Sequence, residues 1–212
     1  FNMSMFLGLS LGPVIGGTLK DHFSLQGSFL CMGLLAIIGF FLSLFLLPPT
    51  TSEQAISHGK NPFSWKMLLI DRQVAGLFLF RFAYLVCVGI IWGFIPLLAD
   101  MEFAASSSLI GVLVMLGVFI SGLIHVPMGY LADRISKKLM VTAGGLIISY
   151  AIFSFEWADR IEDLVIATVF FGLGGGISMP ALMAMAVLEG SRINAMGSIM
   201  ALMTIAHSLG ML

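Results

Sequence analysis

Residues 129–138 read Gly-Tyr-Leu-Ala-Asp-Arg-Ile-Ser-Lys-Lys and end an apolar run that begins at Leu109. Gly129 permits close packing of neighbouring helix backbones, and Asp133 places an anion at the edge of the run. Three cations lie just beyond it: Arg134, Lys137 and Lys138. An apolar run of about 20 residues with cations beyond one end is typical of a transmembrane helix whose charged end faces the cytoplasm. Charge alone is equally compatible with a simple cytoplasmic anchor and with a functional loop.

The composition of the whole chain agrees with a membrane protein. Of the 212 residues, 59% are apolar and 10% are charged, and the mean hydropathy is +1.06. Soluble globular domains carry about 25% charged residues. The composition therefore excludes a disordered chain, a nucleic-acid-binding domain and a disulfide-stapled secreted domain. It also disfavours a cytosolic enzyme, because there are too few polar residues to cover a soluble surface.

Seven apolar segments are each about long enough to cross roughly 30 Å of hydrocarbon as a helix. Because every backbone group in hydrocarbon must be satisfied within the protein, the predicted fold is an all-α transmembrane bundle. The predicted spans are residues 1–19, 28–47, 74–98, 109–131, 139–155, 164–188 and 193–212.

The loops between these spans alternate in charge. The loops after the first, third and fifth spans carry only two basic residues, Lys20 and Arg160, whereas the other three carry seven. The positive-inside rule places the more basic set in the cytoplasm, so the first span runs outward. The seven residues are Lys60, Lys66, Arg72, Arg134, Lys137, Lys138 and Arg192.

The longest connection, residues 48–73, is polar and begins with Pro48 and Pro49. We interpret it as a cytoplasmic linker between two helical bundles. The predicted organisation is two spans in residues 1–47, the linker in 48–73, and five spans in 74–212.

A second motif lies near the outer end of the first span. Its residues are Gly8, Gly12, Pro13, Gly16 and Gly17. Glycines spaced four residues apart let helix backbones approach closely, and a proline inside a helix removes one hydrogen bond. Generic helix packing would also explain the glycine spacing, but the complete pattern with the enclosed Gly-Pro is much rarer.

These two motifs resemble those of the major facilitator superfamily of secondary transporters. Residues 129–138 resemble its signature loop, in the copy between spans eight and nine, and residues 8–17 resemble the fifth-span motif of the drug–proton antiporter branch. The resemblance implies a bundle of two six-helix halves, of which this chain supplies span five to span eleven. It further implies about four spans before Phe1 and more than one after Leu212. Ser136 departs from the family pattern, which usually has glycine at that position.

The resemblance also implies a role for Asp133. In the family this aspartate contacts the cytoplasmic start of a neighbouring helix, and residues 191–194, with Arg192, are expected to provide that start. The hypothesis is that Asp133 holds the cytoplasmic side shut and favours the outward-open state.

Arg81 is the one charged residue well inside a predicted span. A charge at such a depth usually faces protein or water, although a side chain reaching back to the lipid headgroups would explain it equally well. His125 lies at a similar depth in the adjacent antiparallel span and is either a cavity residue or an ordinary packing histidine; His207 is interpreted in the same way. All eleven acidic residues fall in loops or at span ends, so a coupling carboxylate is not expected within this chain.

A glycine-rich stretch, residues 172–180, contains Gly172, Gly174 and Gly176 after an apolar run. It does not complete the GxGxxG pattern of a dinucleotide-binding loop, since the third position fails. We interpret it as a closely packed transmembrane helix with a kink at Pro180.

The sequence therefore predicts a multi-pass transporter of the plasma or inner membrane that works by alternating access. The expected activity is proton-coupled efflux of drug-like or amphipathic compounds; the alternative is a symporter or facilitator that imports a sugar or organic anion. The expected partners are a small-molecule substrate, a coupling proton and the lipid bilayer. No enzyme activity, cofactor, metal site or nucleic-acid partner is expected, Cys31 and Cys87 are interpreted as buried free thiols, and the protein is expected to be a monomer.

Overall fold

The computed structural model of the protein describes residues 2–46 and 71–212, and both parts are almost entirely helical. Each of the seven helices in these residues coincides with one predicted span, which confirms the all-α fold. The helices are α1 (Asn2–His22), α2 (Leu25–Leu46), α3 (Arg72–Met101), α4 (Ser107–Ala132), α5 (Lys137–Ser154), α6 (Ile161–Arg192) and α7 (Met196–Gly210). A single 3-10 turn, Phe155–Trp157, follows α5.

Helices α2 to α6 are long and apolar enough to cross a membrane. Helix α7 is a shorter apolar helix of 15 residues. Large apolar side chains are exposed along these helices, most densely on α2, as expected for surfaces that face lipid rather than water.

Helix α6 lies at the centre of the packing, where it contacts α3, α4, α5 and α7. It has the largest share of buried residues among the spans. Elsewhere α1 packs along α4, and α3 packs along α7. The bulky side chains that are completely buried in this arrangement include Leu113, Leu164, Leu182 and Ile199.

Three consecutive glycines allow these neighbours to approach α6 from different sides. A Cβ on Gly174 would lie 2.7 Å from Ile148 Cγ1 of α5, and a Cβ on Gly175 would lie 2.6 Å from the Tyr84 hydroxyl of α3. A Cβ on Gly176 would lie 3.1 Å from a backbone oxygen of α4. The glycine-rich stretch is therefore a closely packed helix, as predicted, and α6 continues through Pro180 to Arg192.

The turn between α6 and α7 differs from the sequence prediction. Residues 191–194 were expected to begin the last helix with free N–H groups, but α6 extends to Arg192 and α7 begins only at Met196. The amides of Ile193, Asn194 and Ala195 donate to carbonyls of the α6 end, and Asn194 has a φ of 50°. This reversal satisfies the backbone groups that the prediction had left open.

The predicted linker, residues 48–73, lies mostly outside the described residues. Its last part is described: Asp71 caps the start of α3, and Arg72 and Gln73 already belong to that helix. The Asp71 carboxylate accepts hydrogen bonds from the amides of Gln73 at 2.9 Å and Val74 at 3.4 Å, which fixes where α3 begins.

Candidate functional site

Arg81 lies where α3, α6 and α7 meet. It is the tenth residue of α3, about 14 Å along the axis from the start of the helix and so inside the expected hydrocarbon region. Its Nη1 donates to Met179 Sδ of α6 at 3.0 Å, and its Nη2 lies 3.2 Å from His207 Nδ1 of α7. The guanidinium thus turns into the helix bundle and not back toward the headgroups.

The Nε atom of Arg81 is buried and has no hydrogen-bond partner among the described residues. The two groups that the guanidinium does contact are a thioether and an imidazole, neither of which is an anion. A guanidinium carries five N–H donors and no acceptor. The hydrogen-bonding capacity of Arg81 is therefore only partly used within the part of the chain that is described.

His125 lies beside this group on α4, about 10 Å from the cytoplasmic end of that helix. Its Nδ1 is 2.7 Å from the carbonyl oxygen of Ser121, one turn earlier. The Ser121 carbonyl that His125 contacts lies beside Gly176 of α6, and the Tyr84 hydroxyl lies beside Gly175, one residue earlier. Met179, which Arg81 contacts, follows about one turn later on the same helix. Arg81 and His125, the two residues proposed from their depth, thus both lie near residues 175–179 of α6.

Tyr84, one turn after Arg81, is a member of this neighbourhood that the sequence did not single out. Its ring stacks on Phe171 of α6 with centroids 5.7 Å apart, and its hydroxyl reaches the space beside Gly175. The i, i+3 spacing to Arg81 was the available signal, since residues three apart share a helix face. We name Arg81, Tyr84, His125 and His207 the cationic cluster, after the charge of Arg81.

The signature-loop residues lie at the predicted cytoplasmic edge. Asp133 caps the end of α4 and is exposed, and the Arg134 guanidinium stands 4.3 Å above the Tyr130 ring. Lys137 and Lys138 begin α5. Within residues 2–46 and 71–212, a Cβ on Gly129 would meet nothing within 4 Å, so the close packing expected at this glycine is not found there.

Arg192, the expected neighbour of Asp133, has other partners. Its Nη2 lies 2.7 Å from Asp71 Oδ2 at the start of α3, and its Nε lies 2.6 Å from Glu189 Oε2. The amides of Gln73 and Val74, together with Arg192, hold the pKa of Asp71 below its ordinary value. These contacts join the cytoplasmic ends of α3 and α6.

The fifth-span motif meets α4 through one of its glycines. A Cβ on Gly17 would clash with the Ser107 carbonyl, and a Cβ on Gly111 of α4 would clash with the Pro13 carbonyl. Positions Gly8, Gly12 and Gly16 have no atom within 4 Å of a Cβ among the described residues. The predicted close approach is therefore confined to Gly17 and the Pro13 backbone, and its partner Gly111 was not predicted.

One turn beyond this contact, Asp21 reaches the start of α4. Its carboxylate accepts from the Ser107 amide at 3.2 Å, the Ser108 amide at 2.7 Å and the Ser108 hydroxyl at 2.6 Å. These amides are among the unpaired donors at the positive end of a helix. The side chain of one helix thus caps another that lies 86 residues later in the chain.

The Ser108 hydroxyl and amide hold the pKa of the exposed Asp21 below its ordinary value. A carboxyl with a lowered pKa keeps its contact above its ordinary pKa and loses it only as the pH falls through the lowered value. We therefore expect the contact to persist between about pH 5 and pH 8. Spin labels at His22 and Leu109, with Cys31 and Cys87 replaced by serine, should report the same α1–α4 distance at both pH values.

A distance that lengthens on acidification to about pH 5 would show instead that Asp21 titrates in the physiological range. The same measurement on the Lys20→Ala variant controls for general effects of charge at this helix end.

Two cavities in the described part of the chain lie away from the cationic cluster. One of about 280 Å³ is lined mainly by apolar side chains of α3, with Ile152 of α5 and Phe155 of the 3-10 turn. The other, of about 240 Å³, lies between α5 and α6 beside Trp157 and Asp163. Both are near the predicted outer ends of their helices, so neither connects the polar groups described above.

Comparison with known proteins supplies the family context. The sequence profile of the Major Facilitator Superfamily matches residues 1–212. The chain is 29% identical over 183 residues to the mouse MFS-type transporter SLC18B1, covering 82% of this chain and 39% of the relative. It is 24% identical over 216 residues to the uncharacterized MFS-type transporter MJ1560 of Methanocaldococcus jannaschii, covering 100% of this chain and 55% of the relative.

A third relative bears a name that includes a substrate. The chain is 27% identical over 96 residues to the probable nitrate transporter NarT of Staphylococcus carnosus. The aligned region covers 44% of this chain and 25% of that protein. The chain spans about 40–55% of the length of the first two relatives.

Proposed function

Because the chain belongs to the major facilitator superfamily, a family of multi-pass membrane transporters rather than enzymes, we propose that it forms part of a transporter that works by alternating access. In this proposal α1 and α2 belong to one half and α3 to α7 to the other, with residues 48–73 as the linker. The two halves rock about a central site, so that the outer and inner ends of the helices close in turn.

The α1–α4 contact is the observation that carries this proposal. It joins the two proposed halves through Gly17 and Gly111, where backbone approaches backbone without intervening side chains. In the predicted orientation this contact, and the cap that Asp21 places on α4, lie at the outer ends of the helices. The arrangement corresponds to a state that is closed outside, in which Asp21 acts as the outer latch.

Asp133 is proposed as the corresponding inner latch. Its side chain is exposed in the described structure, as expected when the outer side is closed and the inner side is open. Since Arg192 is held by Asp71 and Glu189, closure of the inner side would bring Asp133 to another group at the cytoplasmic helix ends.

For the transported compound, we propose export of drug-like or amphipathic molecules in exchange for protons. The support is the Gly-Pro pattern of the first helix, which resembles the motif of that branch. Import of an organic anion is the second proposal, because Arg81 presents a positive charge inside the helix bundle and one relative is named as a nitrate transporter.

Dye transport in membrane vesicles tests the direction and the coupling. Vesicles containing the full-length protein should move ethidium or fluorescein against its gradient when a proton gradient is imposed, and a protonophore should abolish the movement. Entry of nitrate or benzoate that depends on the protein would support the second proposal. Vesicles in which none of the four probes moves faster than in protein-free vesicles would contradict transport altogether.

The two latches should respond to substitution in opposite directions. Asp21→Ala leaves the first amides of α4 unpaired, so we expect the outward-open population to rise roughly three- to tenfold. Asp133→Asn removes the anion of the inner latch, so the inward-open population should rise. Spin-label distances between His22 and Leu109 measure both effects, and Lys20→Ala is the matched control beside Asp21. An unchanged distance distribution in Asp21→Ala would contradict the outer latch.

A further inference from the structure

Arg81 is a cation inside a membrane-spanning helix without an anionic partner in the described structure. Its polar contacts are Met179 Sδ and His207 Nδ1, and its Nε is buried and unpaired among residues 2–46 and 71–212. The acidic side chains of these residues lie at or beyond the ends of the helices: Asp21, Asp71, Asp100, Glu102, Asp133, Glu156, Asp159, Glu162, Asp163 and Glu189.

An unpaired charge at this depth is unfavourable, and such residues normally face a partner charge or a water-filled cavity. The cytoplasmic ends of the same helices show the usual solution, because Arg192 is paired with both Asp71 and Glu189. Arg81 instead turns inward to a sulfur and an imidazole, which are weak acceptors compared with a carboxylate. The missing negative charge is therefore the property that a ligand would supply.

The groups around Arg81 suit a small planar anion. The guanidinium is a rigid planar fork that binds carboxylates and similar oxyanions through two parallel hydrogen bonds. His207 Nδ1 lies 3.2 Å from the guanidinium, and its other ring nitrogen adds an N–H group, while Tyr84, one turn after Arg81, adds a hydroxyl. The stacking of Tyr84 on Phe171 fixes one wall of this neighbourhood.

We propose that the cationic cluster binds the anionic group of the transported substrate, a planar oxyanion that is either an organic carboxylate or an inorganic ion of the same shape. Arg81 forms the charge-assisted hydrogen bonds, and His207 orients the anion. This inference rests on the proposed transport function and assigns a substrate class to it. It applies in either direction of transport, since an exported amphipathic compound can carry a carboxylate.

Anion binding to the full-length protein in nanodiscs tests the proposal. The ligands are sodium nitrate and sodium benzoate, and their affinities are measured by isothermal titration calorimetry at constant ionic strength. Nitrate represents the inorganic source and benzoate the organic one. At least one should bind the wild type, and Arg81→Gln should weaken that binding at least tenfold. Arg81→Lys keeps the charge but lacks the planar fork, so its anion affinity should lie between those of the wild type and Arg81→Gln. His207→Phe should weaken binding less than Arg81→Gln does.

Arg72→Gln is the matched control, because Arg72 is an exposed arginine on the same helix and outside the cluster. It should bind the anions like the wild type. If Arg81→Gln does not yield folded protein, as judged by gel filtration, the anion affinities of Arg81→Lys and Arg72→Gln are compared instead. Arg81→Lys should then bind more weakly than Arg72→Gln.

Two results would overturn the proposal: equal anion affinity in the wild type and the Arg81 variants, or no binding of either anion by the wild type. If either result is obtained and the wild type still moves ethidium with a proton gradient, the anion site is refuted while the transport function stands. If it moves none of the four vesicle probes, the transport function fails as well.

Discussion

Replacement of Gly17 by valine is expected to abolish transport, whereas the same replacement at Gly16 leaves most of it. A Cβ on Gly17 clashes with the Ser107 carbonyl, and neither backbone can yield without separating α1 from α4. Overpacking of a closely fitted interior costs about 1–3 kcal/mol, and more where the obstacle is backbone rather than a flexible side chain. Gradient-driven dye transport in vesicles, normalised to folded protein from gel filtration, measures the effect.

Gly16 is the matched control because it belongs to the same motif and its Cβ would meet nothing within 4 Å among the described residues. Gly111→Ala should reproduce the Gly17 defect from the opposite helix, because its Cβ clashes with the Pro13 carbonyl. Equal loss at Gly16 and Gly17 would mean that the motif serves a contact other than the one between α1 and α4.

The second large effect is expected at Gly174, where leucine should prevent folding or lower the melting temperature sharply. A Cβ at this position would lie 2.7 Å from Ile148 Cγ1 and 2.8 Å from the Gly144 carbonyl oxygen. In return, a Cβ on Gly144 would lie 2.7 Å from the Gly174 carbonyl oxygen, so α5 and α6 cross with glycine against glycine. Thermal unfolding of the purified protein, followed by circular dichroism, measures the change.

Gly93→Leu provides the comparison, because this glycine also lies within a span but has open space around its Cβ in the described structure. It should unfold near the wild-type temperature. A Gly174→Leu protein as stable as Gly93→Leu would rule out a tight crossing of α5 and α6.

The helices themselves could be predicted because apolar runs of membrane length leave the backbone no alternative to a helix. Which glycine meets a neighbour could not be predicted in the same way. Gly8, Gly12 and Gly16 share one face by their spacing, but the face that contacts α4 includes Gly17, about 100° further round. Spacing indicates which residues share a face, whereas only the assembled bundle decides which face is covered.

For the cationic cluster, too, the sequence indicates the depth of the residues but not their contacts. The depth of Arg81 and His125 follows from their positions in apolar runs, so the sequence placed both at a similar level. The partners of Arg81, however, are Met179 and His207, which lie 98 and 126 residues away. Asp21 and its amide partners are likewise separated by more than 80 residues. Local sequence patterns do not predict such long-range pairs.

The three glycines 174–176 of α6 also affect how the bundle can move. At this level α6 presents bare backbone to α5, α3 and α4. Interlocking side chains normally resist axial sliding between helices, and a surface without side chains lacks that resistance. Neighbours of α6 can thus shear by small amounts without passing through unfavourable rotamers. The three glycines therefore combine close packing in the core with few side-chain obstacles to sliding, as the proposed rocking motion requires.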